Sequence, residues 1–141
     1  MTRYLLDTNI ISDAVKPVPS PKLAKWMIGQ NDADLCIAAM SLAEIWRGIL
    51  LLPLGRKRTG LETWFAGPEG PSQLFRGRIM PFEERAALIW GRLMVDAKTK
   101  RMPFDVTDMH IAAVAEANGC VVVTANEADF KLVPYINPMS L

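Results

Sequence analysis

Histidine is almost absent from this 141-residue chain. His110 is the only one, so a zinc site of several imidazoles is excluded, and a Ser-His-Asp triad would rest on that residue alone. Cysteine is scarce too. Cys36 and Cys120 each lie inside an apolar run, match no zinc spacing, and read as two small buried hydrophobes of a reducing compartment. No apolar run approaches the ~20 residues of a membrane span, because Arg, Glu, Pro or Gly interrupts each one. The opening Met-Thr-Arg-Tyr-Leu-Leu-Asp holds no signal-peptide core. These features predict a soluble, cytoplasmic protein. Neither sign of charge prevails: 16 Lys and Arg stand against 15 Asp and Glu, a net charge of +1. A nucleic-acid partner must therefore be held by local basic patches rather than by overall attraction. The phosphate-cradling GxxxxGK[ST], the dinucleotide GxGxxG and the nucleophile elbow GxSxG are all missing.

What is present is apolar. Half of the residues are hydrophobic, enough to bury a core in a single domain over 1–141 without disulfide or metal. Four short runs read as strands: 3–6, 35–38, 79–82 and 121–123, with 135–136 as an edge strand. Helices are predicted over 9–15, 22–30, 41–52, 61–65, 83–98 and 108–118. Residues 83–98 carry the clearest stripe, with Ala86, Ile89, Trp90, Leu93, Met94 and Ala97 on one face. Gly119 is a helix stop, the Arg56-Lys57-Arg58 triplet falls in a turn, and 67–72 reads as a loop. Strands alternating with helices predict an α/β fold with a parallel sheet covered on both faces.

In such sheets ligands gather at the carboxyl ends of the strands. Asp7 ends the first strand, Glu44 lies one turn into the helix after the second, and Asn126 and Asp129 follow the Val121–Val123 strand. Asp108 opens the helix that leads into that strand. Structural readings compete. Ser41-x-x-Glu44 has the form of a capping box, and Asp105-x-x-Asp108 and Asn126-x-x-Asp129 resemble looser caps. Asp7 is harder to explain that way, because a carboxylate directly after a buried strand needs a partner, and we expect a cation. Gathered at one edge, these acids would repel one another unless a hard cation sat among them. Mg²⁺ or Mn²⁺ suits such an oxygen-rich set, and phosphodiester hydrolysis suits such an ion. Arg56, Lys57, Arg58 and Arg101 are candidate RNA phosphate contacts, with a solvated basic face as the alternative. Trp26, Trp46, Trp64 and Trp90 sit at helical spacing and read as core or interface. Whether Asp105 and His110 take part in the site stays open.

Several motifs, in order, carry a family resemblance: Leu5-Leu6-Asp7-Thr8-Asn9-Ile10-Ile11-Ser12, Ser41-Leu42-Ala43-Glu44-Ile45 with Gly48, Asp108-Met109-His110-Ile111-Ala112-Ala113, Val123-Thr124-Ala125-Asn126 with Asp129-Phe130, and Asn137-Pro138. Over nearly its whole length the chain resembles the PIN-domain toxins of VapBC type, in particular the FitB-like plasmid-stability branch. The resemblance implies a three-layer α/β/α sandwich with a mostly parallel sheet. It implies a Mg²⁺- or Mn²⁺-dependent endoribonuclease cutting RNA, commonly tRNA or rRNA. It also implies a small cognate antitoxin and a homodimer or larger toxin–antitoxin assembly. By position, Asp7, Glu44, Asp108 and Asp129 match the family's acidic quartet, with Asp7 and Asp108 as principal metal ligands. Thr8, Asn9, Thr124 and Asn126 match supporting positions. The chain departs from the family at Ala125, where Arg is common, at Asp105 and at His110. Two other functions compete: a PIN-fold binding module without activity, and a phosphatase with Asp7 as nucleophile. The second is weakened because Asn9 occupies the place of the second Asp it needs.

Overall fold

The computed structural model describes residues 2–141. Five parallel strands form its sheet: β1 (Arg3–Leu6), β2 (Leu35–Ala38), β3 (Ile79–Met80), β4 (Cys120–Val123) and β5 (Tyr135–Ile136), in the order β3-β2-β1-β4-β5. β1 is central. Leu5 aligns with Cys36 on one side and Val122 on the other, and Leu6 aligns with Ile37 and Val123. Successive side chains on a strand point to opposite faces. Leu5, Cys36 and Val122 therefore enter one core, and Leu6, Ile37 and Val123 enter the other. Both faces are buried, which is why these strands read as unbroken apolar runs rather than alternating ones.

The first core is covered by α6 (Glu84–Thr99) and α7 (Val106–Ala117), which contribute Leu93, Ala97, Ile111, Ala112 and Ala115. The second is covered by α1 (Thr8–Ala14) and α2 (Pro21–Ile28), through Ile10, Ile11 and Leu23. The result is the three-layer α/β/α sandwich. Each fully buried Leu or Ile stabilises it by roughly 2 kcal/mol. Both cysteines are buried in the first core, as their apolar context predicts. No described helix is long and apolar enough to cross a membrane.

α7 starts at Val106, two residues before the expected 108, and α2 ends at Ile28 rather than 30; three further differences change how residues are read. α3 spans Ala39–Leu50, two residues earlier than expected, so Ser41 lies inside its first turn and caps nothing; the N-cap is Ala38. The capping-box reading of Ser41 and Glu44 is therefore wrong. α4 spans Arg56–Ala66, so the basic triplet is its first turn rather than a loop. Arg and Lys are good helix formers, and Arg58 pairs with Glu62 one turn on, 2.7 Å away. Within the expected 67–72 loop, Pro71 opens a short helix, α5 (Pro71–Leu74). Two stops are chemically distinct. Gly119 ends α7 with φ +65°, as glycine does freely, whereas α6 is ended by Arg101 at φ +54°.

Candidate active site

The parallel register brings the ends of β1 and β4 together, so Asp7 and Thr124 emerge side by side at the carboxyl edge. Asp7 is the N-cap of α1 and only 3% exposed. Its Oδ1 accepts a hydrogen bond from the Thr8 amide at 2.7 Å. Its Oδ2 accepts from the Thr124 hydroxyl at 2.8 Å and from the Asn9 amide group at 3.0 Å. Thr124 is fully buried; having given its single proton to Asp7, its oxygen accepts from the Asn126 amide at 2.9 Å. Asn9 in turn accepts from the Ala125 amide at 3.3 Å, tying α1 to the loop after β4. Burial raises the Asp7 pKa. The Thr124 and Thr8 hydrogen bonds oppose that rise, and the Glu44 and Asp129 charges add to it.

Glu44 arrives on α3. The Thr8 hydroxyl donates to its Oε1 at 2.6 Å. Thr8 Oγ1 also stands 3.0 Å from the buried Ser41 Oγ, and with its one proton given to Glu44 it accepts the Ser41 proton. The Ser41 hydroxyl thus works across the α1–α3 contact rather than at a helix end. Asp108 stands in the first turn of α7, where Asp105 is the true N-cap and accepts from the Asp108 amide at 3.0 Å. The Asp108 carboxyl is pushed up to about 8, first by burial, then by a hydrogen bond with Asp129 and the charges of Asp7 and Asp105. Near neutral pH the Asp108 carboxyl therefore keeps its proton. Asp129 lies on the 3-10 turn Glu127–Phe130 and accepts from the Asn126 side chain at 2.5 Å. Asn126 thus fixes Asp129 directly and does not cap the turn.

Asp7, Glu44, Asp108 and Asp129 line one open cleft of about 600 Å³, together with Asp13, Asp105, Thr8, Asn9, Ser12, Asn126 and Lys16. Six carboxylates face it, and Lys16 is the only cation among the described residues of its lining. Such crowding calls for added positive charge, and the raised pKa values of Asp7 and Asp108 follow from burial together with that crowding. Among the described residues no three acids already stand at metal-ligand spacing. The donor set fits a hard divalent ion.

The remaining candidates separate. Asp105 lines the cleft; His110 does not. The His110 ring instead stacks on Phe82 at 4.2 Å between centroids and meets Trp90 edge-on at 5.6 Å. Of the four basic residues singled out, Lys57 borders the apolar groove that continues from the cleft. Arg58 is held by Glu62 and the Leu52 carbonyl, while Arg56 and Arg101 lie exposed away from the cleft lining. Trp64 lines that same groove, Trp26 packs against Tyr4 and Trp90 against the α6–α7 core. Sequence reasoning missed Ser12, Asp13 and Lys16. Their signal was the polar stripe Asn9, Ser12, Asp13, which at helical spacing gives α1 one polar face beside the cleft and is continued by Lys16 just past its end.

Comparison with known proteins agrees with this geometry. The PIN domain pattern matches residues 4–134. Toxin FitB of Neisseria gonorrhoeae is 33% identical over 126 residues, 89% of each chain. VapC ribonuclease Y4jK of Sinorhizobium fredii is 32% identical over 136 residues, 95% of this chain and 96% of its own. The crystal structure of FitAcB from Neisseria gonorrhoeae superposes with a TM-score of 0.89 at 32% identity, covering 98% of this chain and 99% of that one. The shared fold, the shared length and the acids at one sheet edge place the chain in the PIN-domain family, among the FitB- and VapC-type toxins.

Proposed function

We propose that this chain, as a single PIN domain, is the toxin of a type II toxin–antitoxin pair and a divalent-metal-dependent endoribonuclease of the cytoplasm. The observation that carries the proposal is the cleft itself: six carboxylates and one lysine around the ends of β1 and β4. The relatives' names, a toxin and a ribonuclease, support the same reading. Asp7 and Asp108 would hold a Mg²⁺ or Mn²⁺ ion, with Asp129 and Glu44 at its margin. When bound, the ion lowers the pKa of a water and offsets charge on the phosphoryl oxygens.

The chain's own residues do the rest. Thr8, Asn9 and Thr124 hold both Asp7 oxygens in one orientation, so the ligand does not have to be ordered when the ion arrives. Thr8 holds Glu44 by its Oε1, leaving Oε2 free to orient a water toward phosphorus. Asp129, held by the Asn126 side chain beside Asp108, would accept a hydrogen bond from a water at the ion. The substrate is RNA, with tRNA or rRNA as the class the family resemblance favours. A small cognate antitoxin would cover the cleft in a homodimeric or larger assembly. Asn9 gives its amide to Asp7, so no second acid stands there for phospho-aspartate chemistry.

Purified protein, free of antitoxin, should cut total cellular RNA into discrete fragments with Mg²⁺ or Mn²⁺ and not with EDTA. Asp7→Asn should lower the rate at least about 10²-fold, the scale of losing one preorganised electrostatic group. Full cleavage by that variant would remove Asp7 from the site. A wild-type protein that binds its antitoxin yet neither binds metal nor cuts RNA would be a binding module.

A further inference from the structure

The acid cleft does not end at Glu44. It runs on into a second groove of about 590 Å³ between α1, α3 and α4, and Thr8, Ser12, Lys16 and Glu44 line both. The new groove has an apolar floor of Ile45, Leu61 and Trp64, with Lys16 and Lys57 as the only cations among its described residues. Neither lysine belongs to any of the three ion pairs among the described residues. Trp64 is half-buried, with a flank open to the groove.

A polyanion whose scissile phosphate lies over Asp7 and Asp108 must leave the cleft in some direction. Toward Asp105 and Asp129 it meets further carboxylates. Toward the groove it meets Lys16, which lines both, and a groove that also holds the Trp64 face and Lys57. Cations that track a backbone, with an aromatic platform between them, are what single-stranded nucleic acid requires. An A-form duplex, by contrast, could not insert a base against Trp64.

We propose that this groove is the subsite for the RNA strand next to the scissile bond, with Lys16 on the adjoining phosphate, Trp64 stacked on the flanking base and Lys57 on the phosphate beyond. The assignment rests on the nuclease reading but concerns different residues. It makes the substrate a single-stranded segment, such as a loop.

The test pairs two measurements on the full chain. The first is kcat and KM for a short single-stranded RNA and for a minimal aryl phosphodiester too small to reach the groove. The second is binding of the same RNA to the Asp7→Asn protein as salt is varied. Lys57 lies outside the acid cleft, so Lys57→Gln should raise KM for RNA about tenfold and leave the minimal diester unaffected; Lys16→Gln should raise KM for RNA as well, and the two together should lower the salt slope by about 1.4. Trp64→Ala should weaken RNA binding about tenfold, and Trp64→Phe should restore most of it. Cleavage with KM and salt slope unchanged in all variants overturns the subsite while leaving the nuclease intact. The same unchanged values with loss of antitoxin co-purification would give the groove to the protein partner, which also overturns it. Groove-dependent binding without cleavage would keep the subsite and sink the nuclease reading; neither binding nor cleavage sinks both.

Discussion

Replacing Asp108 by asparagine should make the metal-free protein more stable, although it removes a proposed ligand. The Asp108 carboxyl is pushed up to about 8, against about 3.9 in an unfolded chain. Below about pH 4 both states hold the proton and the group contributes nothing. Between about pH 4 and about pH 8 the native state keeps a proton that the unfolded chain has released, so stability falls as pH rises and levels off above about 8. A fully buried group shifted this far would cost roughly 5 kcal/mol. Asp108 is half-buried and screened by water, so we expect about 2 kcal/mol. The substituted side chain carries no charge, and its amide can donate toward the neighbouring carboxylates as a protonated Asp108 would. In EDTA near pH 8 the Asp108→Asn variant should melt about 6–8 °C above wild type, and the gap should close toward about pH 4. Millimolar Mg²⁺ should then raise the Tm of wild type and not of the variant, because binding to the native state adds stability only where the ligand set is intact. The assay is thermal unfolding by circular dichroism across that pH range, with and without metal. A wild-type Tm that is flat with pH in EDTA, or a variant no more stable near pH 8, would refute the picture of crowded acids that keep Asp108 protonated.

Other predictions concern the supports and the boundaries. Thr124→Val keeps the shape of a fully buried side chain but removes the hydrogen bond to Asp7 Oδ2 and leaves the Asn126 amide without its acceptor; urea unfolding should show a loss of about 1–3 kcal/mol, and the apparent Mg²⁺ affinity should fall about tenfold. Thr8→Val should leave Asp7 held by its backbone contact while freeing Glu44 from its only side-chain donor among the described residues, so kcat should fall more than metal affinity does. Arg101→Gly relieves a left-handed backbone at a side chain that lines no part of the cleft; it should raise stability by about 0.5–1 kcal/mol in the same unfolding assay with cleavage unchanged, and a loss of cleavage would return Arg101 to the RNA path.

Much of the molecule was legible in the residues. The β2 run 35–38 was read with its true limits: Asp34 marks where it opens, while its far end runs directly into Ala39 and Met40, which begin α3. The α6 stripe was legible because a 3.6-residue period repeats four times within it. The helix boundaries that failed did so for local reasons. Ser41 looked like a cap because its spacing to Glu44 imitates one, but Ala39 and Met40 continue the helix backwards from β2, and Ser41 is taken by Thr8, 33 positions away in sequence. The triplet Arg56–Arg58 looked like a turn because Pro53 and Gly55 precede it, and the pairing with Glu62 that supports the helix lies further along.

For the site, the sequence by itself determined which acids exist and that each follows a strand or opens a helix. It also determined the fold class, through strand and helix periods that impose a parallel sheet covered on both faces. Only the tertiary structure decided the rest. The register of β1 against β4 sets Asp7 beside Thr124 across 117 positions of chain, and no local pattern encodes that contact. The same assembly separates residues that are neighbours in sequence: Asp108 turns into the cleft while His110, two positions on, stacks between Phe82 and Trp90, because a helix turns about 100° per residue. Lys16, one ordinary lysine among the basic residues, becomes the only cation among the described residues facing six carboxylates once α1 docks against the sheet. Side-chain chemistry is written residue by residue, but pKa values, orientation and charge balance depend on which distant groups the packed sheet and helices bring together.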